Sequence, residues 1–594
     1  MLTPEQIAAL RDRAGQITDP INDFLLEDIA RRISEAGQLT STASYQVWRM
    51  QQMGLSQSEI KKRLKKLLKK SSEEVEQLLT QSAEVGYRYD LKRLPTAAGI
   101  PFEQNSTIQQ IVSATVELAL EDFTNLTQTI GMVDPHGNAL PLQDVYRSCT
   151  DYAFKQVITG AADYNTAVRR ATKNLVEKGV RVIDYESGVH TSVEAAVRRN
   201  IMGGLGLMQE QINAANHDDF GCDGWEISAH ANSAPDHEPI QGKQYTDEAY
   251  GSLNNSLVRR IGTLNCGHAA FPIIMGVTPP QYTKEELEKF REDNEKGVTY
   301  DGKHYTGYEA TQLQRKLECA IRKQKKRVLV DEATGDEEKL LIDRVKLQRL
   351  RQEYNRFSKA AGLRTQNERA QVVGFGKEAA ARASTPAKKQ IALIDSFTNS
   401  MAKAGYSVKG FDYYTGDAET LNQMQTAFTR MAKEFPAEAN GLTIRLAQVK
   451  DNSVIGWFDN KTKTIGYNRD LVKIWPVLQK DYAERVKAGH FPVGTDARSC
   501  FYHEFGHAVG YARGINYKKV TTETMVAIGR GFGNPPHMTA KAAVDLLPSL
   551  LSGYSASWLN KPFEEVLAES FSEWYNSAQP REFCEEFLRK AGVL

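Results

Sequence analysis

Residues 499–514 read SCFYHEFGHAVGYARG and contain His503-Glu504-Phe505-Gly506-His507. On a helix, histidines four residues apart lie on one face, one turn apart. Both imidazoles can then reach one metal ion while Glu504 sits beside a water bound to it. The chemistry this spacing supports is zinc-dependent hydrolysis: Zn2+ lowers the pKa of the water, Glu504 takes its proton, and the metal polarises the carbonyl under attack. The alternative is a helix that carries two histidines and no metal. Ahead of it, LTIRLA (442–447), SVIGWF (453–458) and TKTIGYN (462–468) read as strands, the last two joined by a tight hairpin across Asp459-Asn460-Lys461. Thr495 or Asp496 is expected to cap the helix, because GTDA supplies side-chain oxygens before its first turn.

A hydrolytic zinc site takes a third ligand, and EEVLAESFSEWY (564–575) follows about sixty residues on, with Glu565 and Glu569 one helical turn apart. This segment resembles the ExxAE pattern that follows HExxH in lethal-factor-like and related metallopeptidases of the gluzincin type. There the first glutamate binds zinc and the carboxylate four residues later supports a ligand from behind. The resemblance implies Glu565 as the third ligand, with Glu569 as the fallback. Otherwise both decorate an amphipathic helix whose apolar face is Leu567, Phe571 and Trp574. Upstream, LSGYSASWLNKPFEE (551–565) resembles the tyrosine-bearing approach to the same helix, which makes Tyr554 the candidate oxyanion donor. A small sheet ahead of such a helix is the usual build of a zincin, so the C-terminal region is expected to be a zincin-like α+β domain.

At 594 residues the chain has room for several domains. Its 75 basic and 74 acidic residues give a net charge of +1, so no global attraction to nucleic acid or anionic lipid is expected. The six cysteines, at 149, 222, 266, 319, 500 and 584, show no short paired spacing, which argues against a disulfide framework or a CxxC metal site and fits a reducing compartment. The first thirty residues carry acids throughout with no continuous apolar run, and no uncharged stretch approaches a membrane span; neither an export signal nor a membrane span is expected.

Helical periodicity dominates to about residue 216, with helices expected at 113–128, 144–160 and 191–216. Ser56 and Glu59 form a capping box at the start of a helix running into IKKRLKKLLKK (60–70), whose Ile60, Leu64, Leu67 and Leu68 make an apolar stripe among seven basic residues. Membrane or nucleic-acid contact is one use for that face. A solvated face on a packed helix is the other, and SSEEVEQLL just after it neutralises much of the charge. Gly203, Gly204 and Gly206 sit in too apolar a setting for a phosphate loop and lack its Lys-Ser/Thr. Walker A, dinucleotide-binding and GxSxG signatures are all absent.

Between 217 and 280 the chain turns Gly/Pro-rich and carries His217, His230, His237, Cys266 and His268. Their spacing matches no standard zinc ribbon or finger, so the sequence leaves metal binding here open against a module whose polar residues tie its turns together. SAHANSAPDHEPIQGKQY (228–245), NCGHAAFPIIMG (265–276) and YTGYEATQLQRKLECAIRKQKKRVL (305–329) together resemble the tailed-phage minor capsid protein 2 family, related to the head-morphogenesis protein of phage Mu. The matching elements are Ser228-Ala229-His230, Pro235, His237, Gln241-Gly242, Asn265-Cys266, His268 and Gly276, and the resemblance extends over residues 1 to about 375. The chain departs from the family pattern at Ala234, Ile240 and Gly267, where arginine, tryptophan and arginine are common, which puts a phosphate-contacting role for that loop in doubt.

The resemblance implies a minor head component in the virion, made in the host cytoplasm and associated with the portal, with other capsid proteins or with the inner capsid surface near packaged DNA. The helix at 337–359, with mixed charge over an apolar stripe, is either a partner-binding helix or an ordinary surface one. GFGKEAAARASTPAKKQ (374–390) is expected as a linker. The fold class expected is therefore multidomain α+β: a helical body (1–216), a loop-rich module (217–280), a helical region (281–373), the linker, and a zincin-like domain (391–594). The function that follows is a phage head structural protein carrying a zinc-dependent peptidase domain. The rival is a metalloprotease, either a head-processing enzyme or an injected effector, for which the N-terminal region is a delivery scaffold.

Overall fold

A computed structural model describes residues 4–39, 41–93, 100–128, 130–133, 139–159, 161–163, 166–172, 181–183, 190–262, 266–372, 374–451, 453–557 and 563–594. The fold is multidomain and mostly helical with a few small sheets. It divides into two compact units, Met1–Ser384 and Thr385–Leu594. Among the described residues no helix is long and apolar enough to cross a membrane.

In the first unit, helices Asp19–Gly37, Thr42–Arg93, Ser106–Gln128 and Val193–Asp219 pack around a core that includes Ile21, Leu25, Leu78, Leu79, Ile201, Leu205 and Met208. The helices expected at 113–128, 144–160 and 191–216 are present as Ser106–Gln128, Leu142–Ile158 and Val193–Asp219. Thr42–Arg93 is one continuous helix, so Ser56 does not begin one: a strong helix-forming run on both sides carries the backbone through that signal. Leu67 and Leu68 pack against the core between exposed Lys65, Lys66, Lys69 and Lys70, as on an ordinary amphipathic helix; the side chains of Ile60 and Leu64 lie outside the described residues.

The 217–280 stretch is more ordered than its composition implies. Strand Gly224–Ile227 runs antiparallel between Gln244–Thr246 and Ala270–Ile273, and helix Asp247–Ser256 starts from a Thr246 cap. Strand pairing here is long-range, so its partners are not adjacent in sequence. Farther on, Gly307–Thr334 and Glu337–Ala360 form a helical hairpin, turned at Gly335 in the left-handed conformation (φ 72°). Leu340, Leu347 and Tyr354 of the second helix are buried with Ile321, Val328 and Leu329 of the first, so the apolar stripe at 337–359 is satisfied within its own unit.

The boundary between the units falls within the stretch expected as a linker, but that stretch is not coil: residues 377–390 are the first half of helix Lys377–Lys403. Alanine, lysine and glutamate at this density favour helix more than coil. In the second unit the sheet order is Ser407–Lys409, Thr443–Ala447, Thr464–Asn468, Gly456–Asp459, the first three parallel and the last antiparallel at the edge. The three expected strands are there. The hairpin turn is longer than expected, because Asp459 pairs directly with Thr464 and its carboxylate accepts from Lys461 N–H and Thr462 Oγ1.

One buried pair in the helical hairpin makes a prediction. Oδ2 of Asp331 and Oδ1 of Asp343 have no hydrogen-bond donor as carboxylates, and Lys339 Nζ lies 3.6 Å from Asp331 while also contacting Asp343. Burial, and then a hydrogen bond shared with Asp343, pushes the Asp331 carboxyl well above the usual range. A folded-state pKa raised this way weakens the folded state as pH climbs through and above the ordinary carboxylate range. Asp331→Asn keeps the shape of the protonated acid, so the variant should gain on the parent protein between roughly pH 4 and pH 8. Amide hydrogen exchange over 307–360, compared at each pH, reads that difference.

Candidate metal centre

Helix Ser499–Ala512 presents His503 and His507 on one face, and helix Glu564–Asn576 lies across it with Glu565 and Glu569 turned inward. Glu565 Oε2 is 3.1 Å from His503 Nε2 and 3.3 Å from His507 Nε2. Zinc bonds of about 2.0–2.1 Å at tetrahedral angles would set such donor pairs about 3.3–3.4 Å apart. Glu565 Oε2 is buried and makes no well-formed hydrogen bond, so an oxygen that would be costly to strand is aimed at the point the two imidazoles share. These three side chains could hold a metal ion.

Glu569 is in a different position. Its Oε1 lies 2.9 Å from His503 Nδ1, the ring nitrogen facing away from Glu565, and its Oε2 accepts a 2.7 Å hydrogen bond from Ser552 Oγ. Ser552 is fixed in turn, accepting the Ser555 backbone N–H at 3.1 Å. In a neutral His503 the carboxylate on Nδ1 would hold the proton there and leave the Nε2 lone pair on the Glu565 side. Burial by itself would raise Glu565, but its close contacts with the His503 and His507 imidazoles outweigh it and hold this carboxyl well below the usual range. Burial opposes charging of His503 too, yet its two carboxylate partners push its pKa well above that of a free imidazole.

Glu504 lies against the edge strand. A Cβ at Gly456 would stand 2.8 Å from Glu504 Oε1 and 2.9 Å from its Cγ, so this strand runs directly over the carboxylate. Burial raises the Glu504 pKa. Tyr554, in the short helix Gly553–Ser557, has its ring 5.9 Å from that of His503, and its N–H donates to His490 O. His490, which the sequence did not single out, has its ring 5.5 Å from Tyr554. Nothing about an isolated histidine ahead of a Phe-Pro pair signals that proximity.

The expected caps are corrected. The helix starts after Arg498 with no side-chain cap; Asp496 Oδ1 accepts the Arg498 N–H instead, and Thr495 Oγ1 donates to Pro492 O. The Asp496 turn ends one residue too early to cap the helix. In the first unit, His217 bonds to Asp218 and Asp247 and stacks on Trp225, while His237, Cys266 and His268 meet in a buried group.

Residues 2–359, well over half of the chain, match the family model of phage minor capsid protein 2. The chain belongs to that family. It is a structural protein of the phage head, and its place is the virion, among other head proteins. The match ends far before His503, so the second unit lies outside it. No curated protein and no solved structure matches the chain.

The edge strand supplies a prediction. Gly456→Val would drive a side chain into the Glu504 carboxylate and overpack that contact, lowering the stability of the C-terminal unit by about 1–3 kcal/mol. Urea unfolding followed by fluorescence checks it.

Proposed function

We propose that this head protein carries a zinc-dependent peptidase in residues 385–594, and that its N-terminal unit seats it near the portal or the inner capsid surface. The observation that carries the catalytic part is the convergence of His503 Nε2, His507 Nε2 and Glu565 Oε2, with Glu569 behind His503. The expected ligand Glu565 and the fallback Glu569 thereby take different parts: Glu565 as the third ligand, Glu569 as the group that orients a histidine.

Zinc held there would acidify a water and polarise a peptide carbonyl. Glu504, buried and raised in pKa, accepts the proton of the attacking water and returns it to the leaving amine. Tyr554 stands on the His503 side of the site and donates to the oxyanion as it develops. The outer side of strand Gly456–Asp459 is the edge of the sheet, and an extended peptide can add to it as a further strand, its backbone running past Glu504. The substrate is therefore an extended protein segment. A head-processing enzyme and an effector ejected with the genome share this chemistry, and both keep the peptidase as a passenger on the structural unit. Packaged DNA as a contact of the N-terminal unit rests on the resemblance alone.

Two measurements test the reading. Metal analysis of the full chain should find zinc, with one equivalent lost in the His503→Ala, His507→Ala double variant; the same zinc content in parent and double variant excludes the site. On a quenched-fluorescence peptide library, Glu504→Gln should retain that zinc and lose about 10²–10⁴-fold in turnover. Zinc retained with no cleavage by the parent protein would leave the ion a structural role only.

A further inference from the structure

His237, Cys266 and His268 are almost wholly enclosed in the three-stranded module of the first unit, at 2%, 8% and 1% exposure. His237 belongs to the turn that leads into strand Gln244–Thr246, and the other two precede strand Ala270–Ile273. His237 Nδ1 lies 3.3 Å from Cys266 Sγ, Cys266 Sγ lies 3.5 Å from His268 Nδ1, and the two Nδ1 atoms are 3.4 Å apart. Around a tetrahedral zinc, bonds of about 2.0–2.1 Å to nitrogen and 2.3 Å to sulfur place two nitrogens about 3.3–3.4 Å apart and nitrogen and sulfur about 3.5–3.6 Å apart. The triangle has that size.

Hydrogen bonding on the far side of each ring fixes what faces the centre. His237 Nε2 is 2.9 Å from Arg259 O, a carbonyl that can only accept, so Nε2 carries a proton. His268 Nε2 is 3.0 Å from Gln241 Oε1, and this oxygen also accepts the His230 N–H at 3.1 Å, which identifies it as the amide oxygen. His268 is therefore protonated on Nε2 as well. In the neutral rings both Nδ1 lone pairs then point at one spot, and the single thiol proton of Cys266 cannot serve two acceptors and hold them 3.4 Å apart. The backbone N–H of His268 points at Cys266 Sγ from 3.4 Å, a contact that steadies a thiolate.

We propose that His237, Cys266 and His268 bind one zinc ion, which clips the turn at 234–242 to the strand Ala270–Ile273. Mixed imidazole and thiolate donors suit zinc, and the carbonyl and amide behind the two rings are the outer partners that metal-bound histidines require. Among the described residues no fourth His, Cys, Asp or Glu joins the group, so a water completes the tetrahedron. Cys266 and His268 also border a cavity of about 180 Å³ lined by Trp225, Tyr250 and Asn213, which gives that water room. The clip has no residue in common with the HExxH site and stands whether or not that site is a peptidase.

Cobalt(II) tells the two sites apart, because only this one offers sulfur. Full-length protein carrying His503→Ala and His507→Ala, stripped of metal and titrated with cobalt, should bind one equivalent. It should show the visible bands of a tetrahedral ion and a near-ultraviolet thiolate-to-cobalt charge-transfer band, both displaced by zinc and both lost in Cys266→Ser. Cobalt that does not bind, or that binds without the charge-transfer band, overturns the proposal. The unmodified chain gives a second measurement that needs no variant: zinc should protect Cys266 from alkylation, mapped by peptide mass, and a chelator should remove the protection. Equal alkylation with and without zinc would overturn the clip and leave a metal-free thiolate–imidazolium pair.

Discussion

The C-terminal unit depends on how closely two helices approach. Histidines on Ser499–Ala512 and carboxylates on Glu564–Asn576 meet at about 3 Å only because the facing positions carry almost no side chain. A Cβ at Gly506 would stand 3.1 Å from Ala568 Cα, and one at Gly510 would stand 2.5 Å from Leu567 Cδ2 and from the Tyr517 hydroxyl. These glycines, four apart, make a flat strip on which the acidic helix rests. Behind the strip Phe435, Phe505, Phe571 and Tyr575 form a continuous aromatic layer, and Tyr467 of the sheet and Trp475 at the start of helix Trp475–Lys487 both pack on Phe501. The glycine strip and the aromatic layer together set the distance between the helices, and that distance sets how closely the histidines and glutamates meet.

Much of this was legible in the sequence, for a physical reason. HExxH and ExxAE encode their geometry within a single turn of helix, where spacing alone decides which side chains share a face. The division of labour between Glu565 and Glu569 was not decided by spacing, since both lie on the same face; it depends on where the second helix crosses the first. The strand Ser407–Lys409 has only three residues and gains its identity from parallel pairing with Thr443–Ala447, a contact no local pattern reports. The segment at 374–390 misled because a composition of small and charged residues serves a linker and an exposed helix equally. His237, Cys266 and His268 were visible as candidates, but their meeting depends on the antiparallel pairing of Gly224–Ile227 with Ala270–Ile273.

The two units bear on function differently. Membership of the capsid family rests on the first, and the helical hairpin Gly307–Thr334/Glu337–Ala360 lies almost wholly within the match, buried on its inner side against its own unit. A head role therefore needs nothing from the HExxH helix. The second unit has its own core, running from Ile394 to Val593, as a domain with separate chemistry would.

Charge accounting shows what the second unit asks of its site. Glu504, Glu565, Glu569 and Glu573 are all enclosed, and burying four carboxylates is expensive unless each finds a partner. Glu573 is matched by Arg581 at 2.6 Å, and Glu569 by Ser552 and His503. Glu565 depends on the two histidines, and Glu504 has no cationic side chain within salt-bridge distance among the described residues. Without a metal, His503 would have to be an imidazolium, giving one N–H to Glu565 and the other to Glu569. A divalent cation at the meeting point of the three donors would relieve Glu565 directly, free His503 to be neutral, and stabilise the ionised form of Glu504 across the same small space. On the proposed reading, the charge of a bound cation would offset these buried carboxylates, which ties the energetics of this unit to its proposed chemistry.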